Sequence, residues 1–299
     1  MKLSNEYAKD VTVKSSSQYA KDGDSISRMK APMIMGFIGL TLIYKVAAYL
    51  VENSPMAIPA EEYCPVDNPT CSRPDLFAFQ AACFVALAYC GILGFHAWYI
   101  SKRVHTVIPA TPEGRILGYL SESEKLAAAS LTFQVWDFVA SLFIDEHGTP
   151  IMLAHHIIAA LVSYASLKSQ CAHYYGEDFF AVFFLGLSEL SSLFLVFVSL
   201  AKYFPPVPGS WFDLWVAICG PCFAATFLLY RVIMWWKVVY QLWYDVFYIL
   251  KQRLQKKLRP DQPFVLYMFL VLSIPMGLLQ LYWFQIILME AFKLLSVNS

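Results

Sequence analysis

Charged side chains are what this sequence has least of. Only 15% of its 299 residues are Asp, Glu, Lys or Arg, where soluble domains carry roughly a quarter. Mean hydropathy is +0.52. The deficit excludes an ordinary water-solvated surface and points to lipid as the solvent. Neither sign is in excess, with 22 basic and 22 acidic residues, so bulk charge gives no reason to expect a nucleic-acid partner. Internal repeats and coiled-coil heptads are lacking too. So is a signal peptide, since no short apolar core with a small-residue cleavage site precedes the first long apolar run.

Long apolar runs are what is present. Crossing a bilayer takes roughly 20 apolar residues, and seven segments qualify or nearly so: 33–51, 76–100, 126–144, 151–167, 179–201, 211–236 and 264–292. The expected fold class is all-α, a polytopic membrane protein of about seven transmembrane helices. Eight Trp, 18 Tyr and 23 Phe supply the aromatic belts such a protein needs at its two interfaces. The organisation read from the chain is a polar, disordered tail over 1–31, a separate first span over 32–51 and a Pro- and Cys-containing loop over 52–75. A main membrane domain over 76–292 and a short tail over 293–299 follow. Beyond Trp236 the pattern turns amphipathic as far as Leu258, which predicts a surface-lying continuation, because one crossing has no room for a helix of roughly 70 Å.

Basic residues set an orientation. With the amino terminus cytosolic, seventeen Lys and Arg fall in cytosolic segments, against Arg73, Lys202 and Lys293 on the other side. The positive-inside rule supports that arrangement. It places Cys64 and Cys71 together in an oxidising compartment, where a disulfide could form. Cys219-Gly220-Pro221-Cys222 has the look of a redox pair, but it lies in an apolar span, where Gly-Pro is expected to kink a helix and lipid stabilises no thiolate.

Polar groups inside the spans are few and aligned. Ionisable side chains cost several kcal/mol at the bilayer centre, so each one asks for a reason. Ser130, Gln134, Asp137 and Ser141 are spaced by four, three and four, one face of a helix. His155 and His156 stand one turn into the next span. Ser188, Glu189, Ser191 and Ser192 follow in the fifth, Arg231 in the sixth, and Gln280 with Trp283 in the seventh. A shared internal cavity accounts for them together. Blander roles stay open: an Arg231 pair with Asp137 or with Glu189, Arg231 snorkelling to the interface, serines and glutamines as interhelical glue. His96 and His173 read as interfacial or packing histidines. Adjacent histidines lack the i, i+4 spacing of a helical zinc pair, so no metal is expected.

These residues resemble a family. Phe133-Gln134-Val135-Trp136-Asp137, Met152-Leu153-Ala154-His155-His156 and Leu187-Ser188-Glu189-Leu190-Ser191-Ser192 look like the TLC-domain family, to which the ceramide synthases belong. Phe227 to Val232 and Leu279 to Phe284 are similar as well. The resemblance covers 76–292 and implies six helices around a central cavity, preceded here by one extra span. In the synthases the paired His belongs to the site that moves an acyl chain from acyl-CoA to a sphingoid amine. This chain has Ala159 where the synthases have Thr, and Ser188-Glu189 and Ser192 where they have His-Asp and Asp. It is therefore more similar to the TLC-domain-containing proteins outside the synthase branch.

The function expected is membrane lipid metabolism or homeostasis in an internal membrane, the endoplasmic reticulum by the resemblance. Two versions stand. In the first, His155 or His156 is the base for acyl transfer to a lipid amine or hydroxyl, Asp137 or Glu189 orients it, and Arg231, Ser188, Ser192, Gln134, Gln280 and Trp283 line the substrate site. No cofactor is expected, with acyl-CoA an available co-substrate; the partners are membrane lipids and self-association stays open. In the second, the same cavity holds a lipid without catalysis. A receptor or transporter is a distant third. The charge count puts the loop before His155 opposite the cytosol, where acyl-CoA is found. A deep cavity, an inverted topology or another donor would each reconcile the two.

Overall fold

The architecture is that of a computed structural model, which describes residues 25–52, 54, 58–64, 71–170, 178–251 and 262–297. His173 and the basic run from 252 to 259 lie outside these. Among the described residues there is no strand. The long helices are α1 Ser25–Val51, α2 Pro74–Phe95, α5 Ser121–Ser141, α6 Pro150–Gln170, α8 Leu190–Tyr203, α9 Trp211–Thr226, α10 Met234–Lys251 and α11 Gln262–Val297. Three short helices join them: α3 Arg103–Thr106, α4 Pro112–Leu117 and α7 Asp178–Phe184. The protein is a multi-pass membrane protein of all-α class.

Among the described residues six helical stretches are long and apolar enough to cross a membrane. The expected third span, α5, falls short of that apolarity, and its packing explains why. It contacts α1, α2, α6 and α7, and Glu122, Glu124, Ser130, Gln134 and Asp137 are all buried on it. Other helices, not lipid, are its solvent, so it can afford polar residues. It still runs from one end of the bundle to the other. At its start Glu124 accepts a 2.8 Å bond from Arg28, at the beginning of α1, and Glu122 one of the same length from Arg103. Just past its end Glu146 pairs with Arg73, at the beginning of the antiparallel α2.

Several boundaries correct the sequence reading. Residues 25–31, assigned to the disordered tail, are helical and open α1, where Arg28 is anchored by Glu124. The expected surface-lying segment after Trp236 is instead a helical continuation of the sixth span. Trp211–Lys251 is helical throughout, roughly 60 Å by rise per residue. Its amphipathic end buries Val238, Leu242, Asp245, Val246 and Ile249 against α4, α7 and α11, and Asp245 takes both bonds of the Arg115 fork at 2.6 and 2.8 Å. The apolar stripe was legible as a face, but its partner is protein. The helix runs through Pro221, and its irregularity comes later, as a π-helical turn over Phe227–Ile233. The fifth span, expected to be continuous, is broken. Between α7 and α8 lie residues 185 and 186 and a 3₁₀ turn, Leu187–Glu189.

That break is set by a close approach of two backbones. A Cβ on Gly186 would lie 2.8 Å from the Gly94 Cα and 2.7 Å from the Val182 carbonyl oxygen. One on Gly94 would meet Gly186 and Leu187 backbone. Only glycine at both positions lets α2 touch the broken segment.

At the opposite end from Arg28, a disulfide joins Cys64 and Cys71. Arg73 there donates to Glu146 at 2.6 and 2.7 Å and to the Tyr63 carbonyl oxygen at 3.2 Å. The Ala60 amide donates to the Tyr203 carbonyl at 2.8 Å, which ties the loop to the end of α8.

Candidate functional site

Two polar groups occupy the interior, and the adjacent histidines divide between them. The first is a seam between α5 and α6. His156, 4% exposed, sits with Nδ1 2.8 Å from Gln134 Oε1 and Nε2 3.4 Å from Asp137 Oδ1. The Ser141 hydroxyl donates to the same Asp137 oxygen at 3.1 Å, and Ser163 donates to the Ser130 hydroxyl at 2.9 Å. The four-three-four spacing on α5 therefore meets one face of α6. Asp137 pairs with His156, and Arg231 has another partner.

The second group is built around Arg231, 6% exposed, in the π-helical turn. The broken helix presents it with acceptors. Arg231 Nε donates to the Ser188 carbonyl at 3.1 Å and to the Ser191 hydroxyl at 3.0 Å. Its Nη2 donates to Glu189 Oε2 at 2.6 Å and to the Ser192 hydroxyl at 2.8 Å, while Nη1 lies 3.4 Å from Gln280 Oε1. Ser192 also donates to Glu189 Oε2 at 2.9 Å. The Ser188 carbonyl is free to accept because the α-helical pattern lapses there; irregular backbone at membrane depth is tolerated where protein covers it. With this many partners Arg231 is no snorkelling residue. Ser191 belongs to the same cage and was singled out in the sequence only as a neighbour of the serine stripe.

Beside this cage lies a partly open cavity. His155, Gln134, Ser188, Glu189 and Arg231 line its polar part, and Phe184, Trp235, Leu242, Phe269 and Met276 much of the rest. Arg231 and Leu242 are eleven residues apart on one helix, roughly 16 Å. Leu242 precedes Asp245, the partner of Arg115, by a single turn. The cavity thus runs from the histidines toward the Arg28 and Arg115 end of the bundle.

His155 faces this space and His156 does not line it. The His155 ring is edge-on to Trp283, with centroids 5.0 Å apart, and 5.3 Å from His156. Its Nδ1 is buried without a hydrogen-bond partner, as are Trp235 Nε1, Trp236 Nε1 and Gln280 Nε2. Gly277 makes room for the two indoles, since a Cβ there would lie 2.9 Å from the Trp236 ring and 3.3 Å from Trp235 Nε1. Trp235 was missed in the sequence, where an aromatic in an apolar run carries no signal of its own. Of the residues singled out there, Ser192 and Gln280 touch Arg231 and Trp283 touches His155; Asp137 is committed to the seam.

One of the expected base-and-orienter pairs, His156 with Asp137, is formed, but not on the imidazole that lines the cavity. The histidine held by a carboxylate is away from the cavity, and the histidine on the cavity has no carboxylate. Glu189, the other candidate orienter, is taken by Arg231. Among the described residues no group of three His, Cys, Asp or Glu is placed to hold a metal ion. Cys219 is buried and Cys222 partly so, both as free thiols.

Comparison with protein families matches residues 77–289 to the TLC domain. No curated protein matches the sequence.

Proposed function

This chain belongs to the TLC-domain family, and from that premise we propose that it remodels membrane lipids by acyl transfer in the cavity beside Arg231. Membership makes it a lipid-related membrane protein; the reaction is our reading. The observation that carries it is an imidazole with an unpartnered nitrogen, His155, at the polar part of an otherwise apolar cavity. A lipid amine or hydroxyl would attack the acyl carbonyl as its proton passes to His155, the general base, and the donor's leaving group, a thiolate where the donor is an acyl-CoA, would depart with that proton. The acyl carbonyl would lie toward Arg231, whose guanidinium faces the oxygen on which charge develops.

The cavity's direction supports a cytosolic donor. With the amino terminus cytosolic by the positive-inside count, the Arg28 and Arg115 end faces the cytosol and the cavity extends toward it from His155. An acyl chain delivered from that side would reach the histidine without any inversion of topology. The endoplasmic reticulum is the membrane we propose.

A second reading has its own observation. Because the carboxylate-held His156 is off the cavity, the site also suits a protein that binds a lipid without turning it over. The break between α7 and α8 is of the kind transport proteins use at substrate sites, but no second repeat accompanies it.

Lipid mass spectrometry on cells lacking the protein separates the readings, with rescue by wild type, His155→Ala or His156→Ala at matched expression. Catalysis predicts that wild type restores one acyl-lipid class and that His155→Ala does not, even where its folded amount equals wild type. Equal restoration by His155→Ala leaves lipid binding as the function.

A further inference from the structure

The charge state of the cavity restricts what it holds. Among the described residues that line it, Arg231 is the only Lys or Arg and Glu189 the only Asp or Glu, and the two are joined at 2.6 Å. The guanidinium carries five N–H groups. One, on Nε, is shared by the Ser188 carbonyl and Ser191, two on Nη2 go to Glu189 and Ser192, and one on Nη1 reaches Gln280. A single Nη1 donor is left. The Gln280 amide nitrogen is also buried without a partner, but Gln280 does not line the cavity, so the Nη1 donor is what Arg231 has to offer. What remains is therefore donor capacity for one oxygen, in a site already neutral.

We infer that the lipid taken by this cavity has an uncharged polar group, a hydroxyl, ester or amide oxygen, and that the Arg231–Glu189 pair excludes phosphate, sulfonate and carboxylate heads. An anion would meet a cation whose counter-charge is in place and would bring an unpaired charge into low dielectric, which costs several kcal/mol. A neutral oxygen accepts the spare donor and leaves the pair undisturbed. The apolar walls from Phe184 to Phe269 take the chain. This names the substrate class of the cavity and rests on its being the lipid site.

The test is competition on the purified full-length protein in a neutral detergent. The probe is a fluorescently tagged long-chain monoacylglycerol; the competitors are a long-chain alcohol and the alkyl sulfonate of the same chain length. The alcohol is expected to displace the probe at a concentration lower by about tenfold or more, a difference of about 1.4 kcal/mol or more. Glu189→Gln, which leaves the Arg231 charge unmatched, is expected to bring the sulfonate level with the alcohol or ahead of it, while Glu189→Asp keeps the wild-type order. The wild-type comparison stands alone if Glu189→Gln does not fold. Equal displacement by the two competitors overturns the inference and leaves the cavity as a lipid site. A folded Glu189→Gln with the wild-type ratio overturns the role of the ion pair. Failure of the probe and both competitors to bind overturns the cavity as a lipid site, and this inference with it.

Discussion

His155 and His156 are neighbours in sequence and belong to different chemistries. On the His156 side, Gln134, Asp137, Ser141, Ser130 and Ser163 each hydrogen-bond to a neighbouring side chain, so the seam is satisfied even where Gln134 and Ser130 reach the cavity wall. On the His155 side, the cage of Arg231 is as well connected, yet it borders a cavity and leaves His155 Nδ1 and Gln280 Nε2 unpartnered. Intramembrane polar residues are commonly taken as signs of function. The contrast shows that such residues do two jobs within one turn of helix. One set joins helices that lipid would not drive together, and the other prepares a surface for a ligand. Satisfied hydrogen bonds against orphaned ones tell them apart better than residue type does.

The sharpest break of that comparison is Arg231→Met. It removes the donors from the cage and leaves the half-buried Glu189 without its charge partner, a change that costs about 3 kcal/mol, the low end for a buried pair. Thermal unfolding in detergent should show a large drop, and Arg231→Met combined with Glu189→Gln should recover much of it. Recovery failing would mean that the cage is held by the serine contacts and not by charge. Next in size is Gly186→Ala, whose new methyl would press on the Gly94 Cα and the Val182 carbonyl. Overpacking of this kind costs about 1–3 kcal/mol. It should displace the Ser188 carbonyl and so weaken lipid binding, leaving the seam intact. A Gly186→Ala protein with wild-type stability and binding would show that the backbone approach is not what holds the break open.

A smaller effect separates the two histidines directly. His156→Ala strands Asp137 and Gln134 in the interior, where an unsatisfied polar group costs about 1–3 kcal/mol. His155→Ala enlarges an existing cavity and strands nothing. The unfolding midpoint should therefore fall further for His156→Ala by about 1 kcal/mol or more, with lipid chemistry falling further for His155→Ala. The reverse order would exchange the roles assigned to the two residues.

Much of this was legible beforehand, and what was not has physical reasons. Six of the seven expected spans follow from apolar length, and the α5 face from its spacing, because both are local properties of a helix. That Asp137 pairs with His156 and Glu189 with Arg231 was open, since spacing fixes which face a residue occupies but not which helix comes to it. The break at 185–189 left a trace in Gly186, yet a lone glycine in an apolar run reads as packing until Gly94 is seen against it. The stripe of Val238, Leu242 and Ile249 announced an amphipathic face and was assigned to the membrane surface. Only α4, α7 and α11, brought alongside by the tertiary fold, show that protein covers it. Which histidine meets the cavity was beyond the sequence, because adjacent residues differ by about 100° and nothing local says where the cavity lies.

The smallest effect concerns what keeps the seam closed at its outer end. The turn after α5 folds back so that a Cβ on Gly148 would sit 3.0 Å from the Ser141 carbonyl oxygen, and His147 in that turn stacks on Phe79 at 4.0 Å with its Nε2 3.4 Å from the Tyr203 hydroxyl. Burial lowers the His147 pKa from 6.5 to about 4. The unfolded chain therefore takes up this proton first as pH falls, so the stability His147 lends is complete above about pH 6.5 and is lost on the way down to about pH 4. Glu146, held below its ordinary range chiefly by its hydrogen bond from Arg73, adds a loss of the same sign, but only below its ordinary pKa of 4.5. Between pH 6.5 and 4.5 His147 shares the slope with His105, whose pKa is also lowered, by burial and by Lys102. His147→Gln should flatten the unfolding midpoint over that window by an amount on the order of 1 kcal/mol, after discounting for the partial exposure of the turn. A slope that the substitution leaves unchanged would mean that the packing of this turn on Phe79 and Tyr203 does not hold His147 neutral.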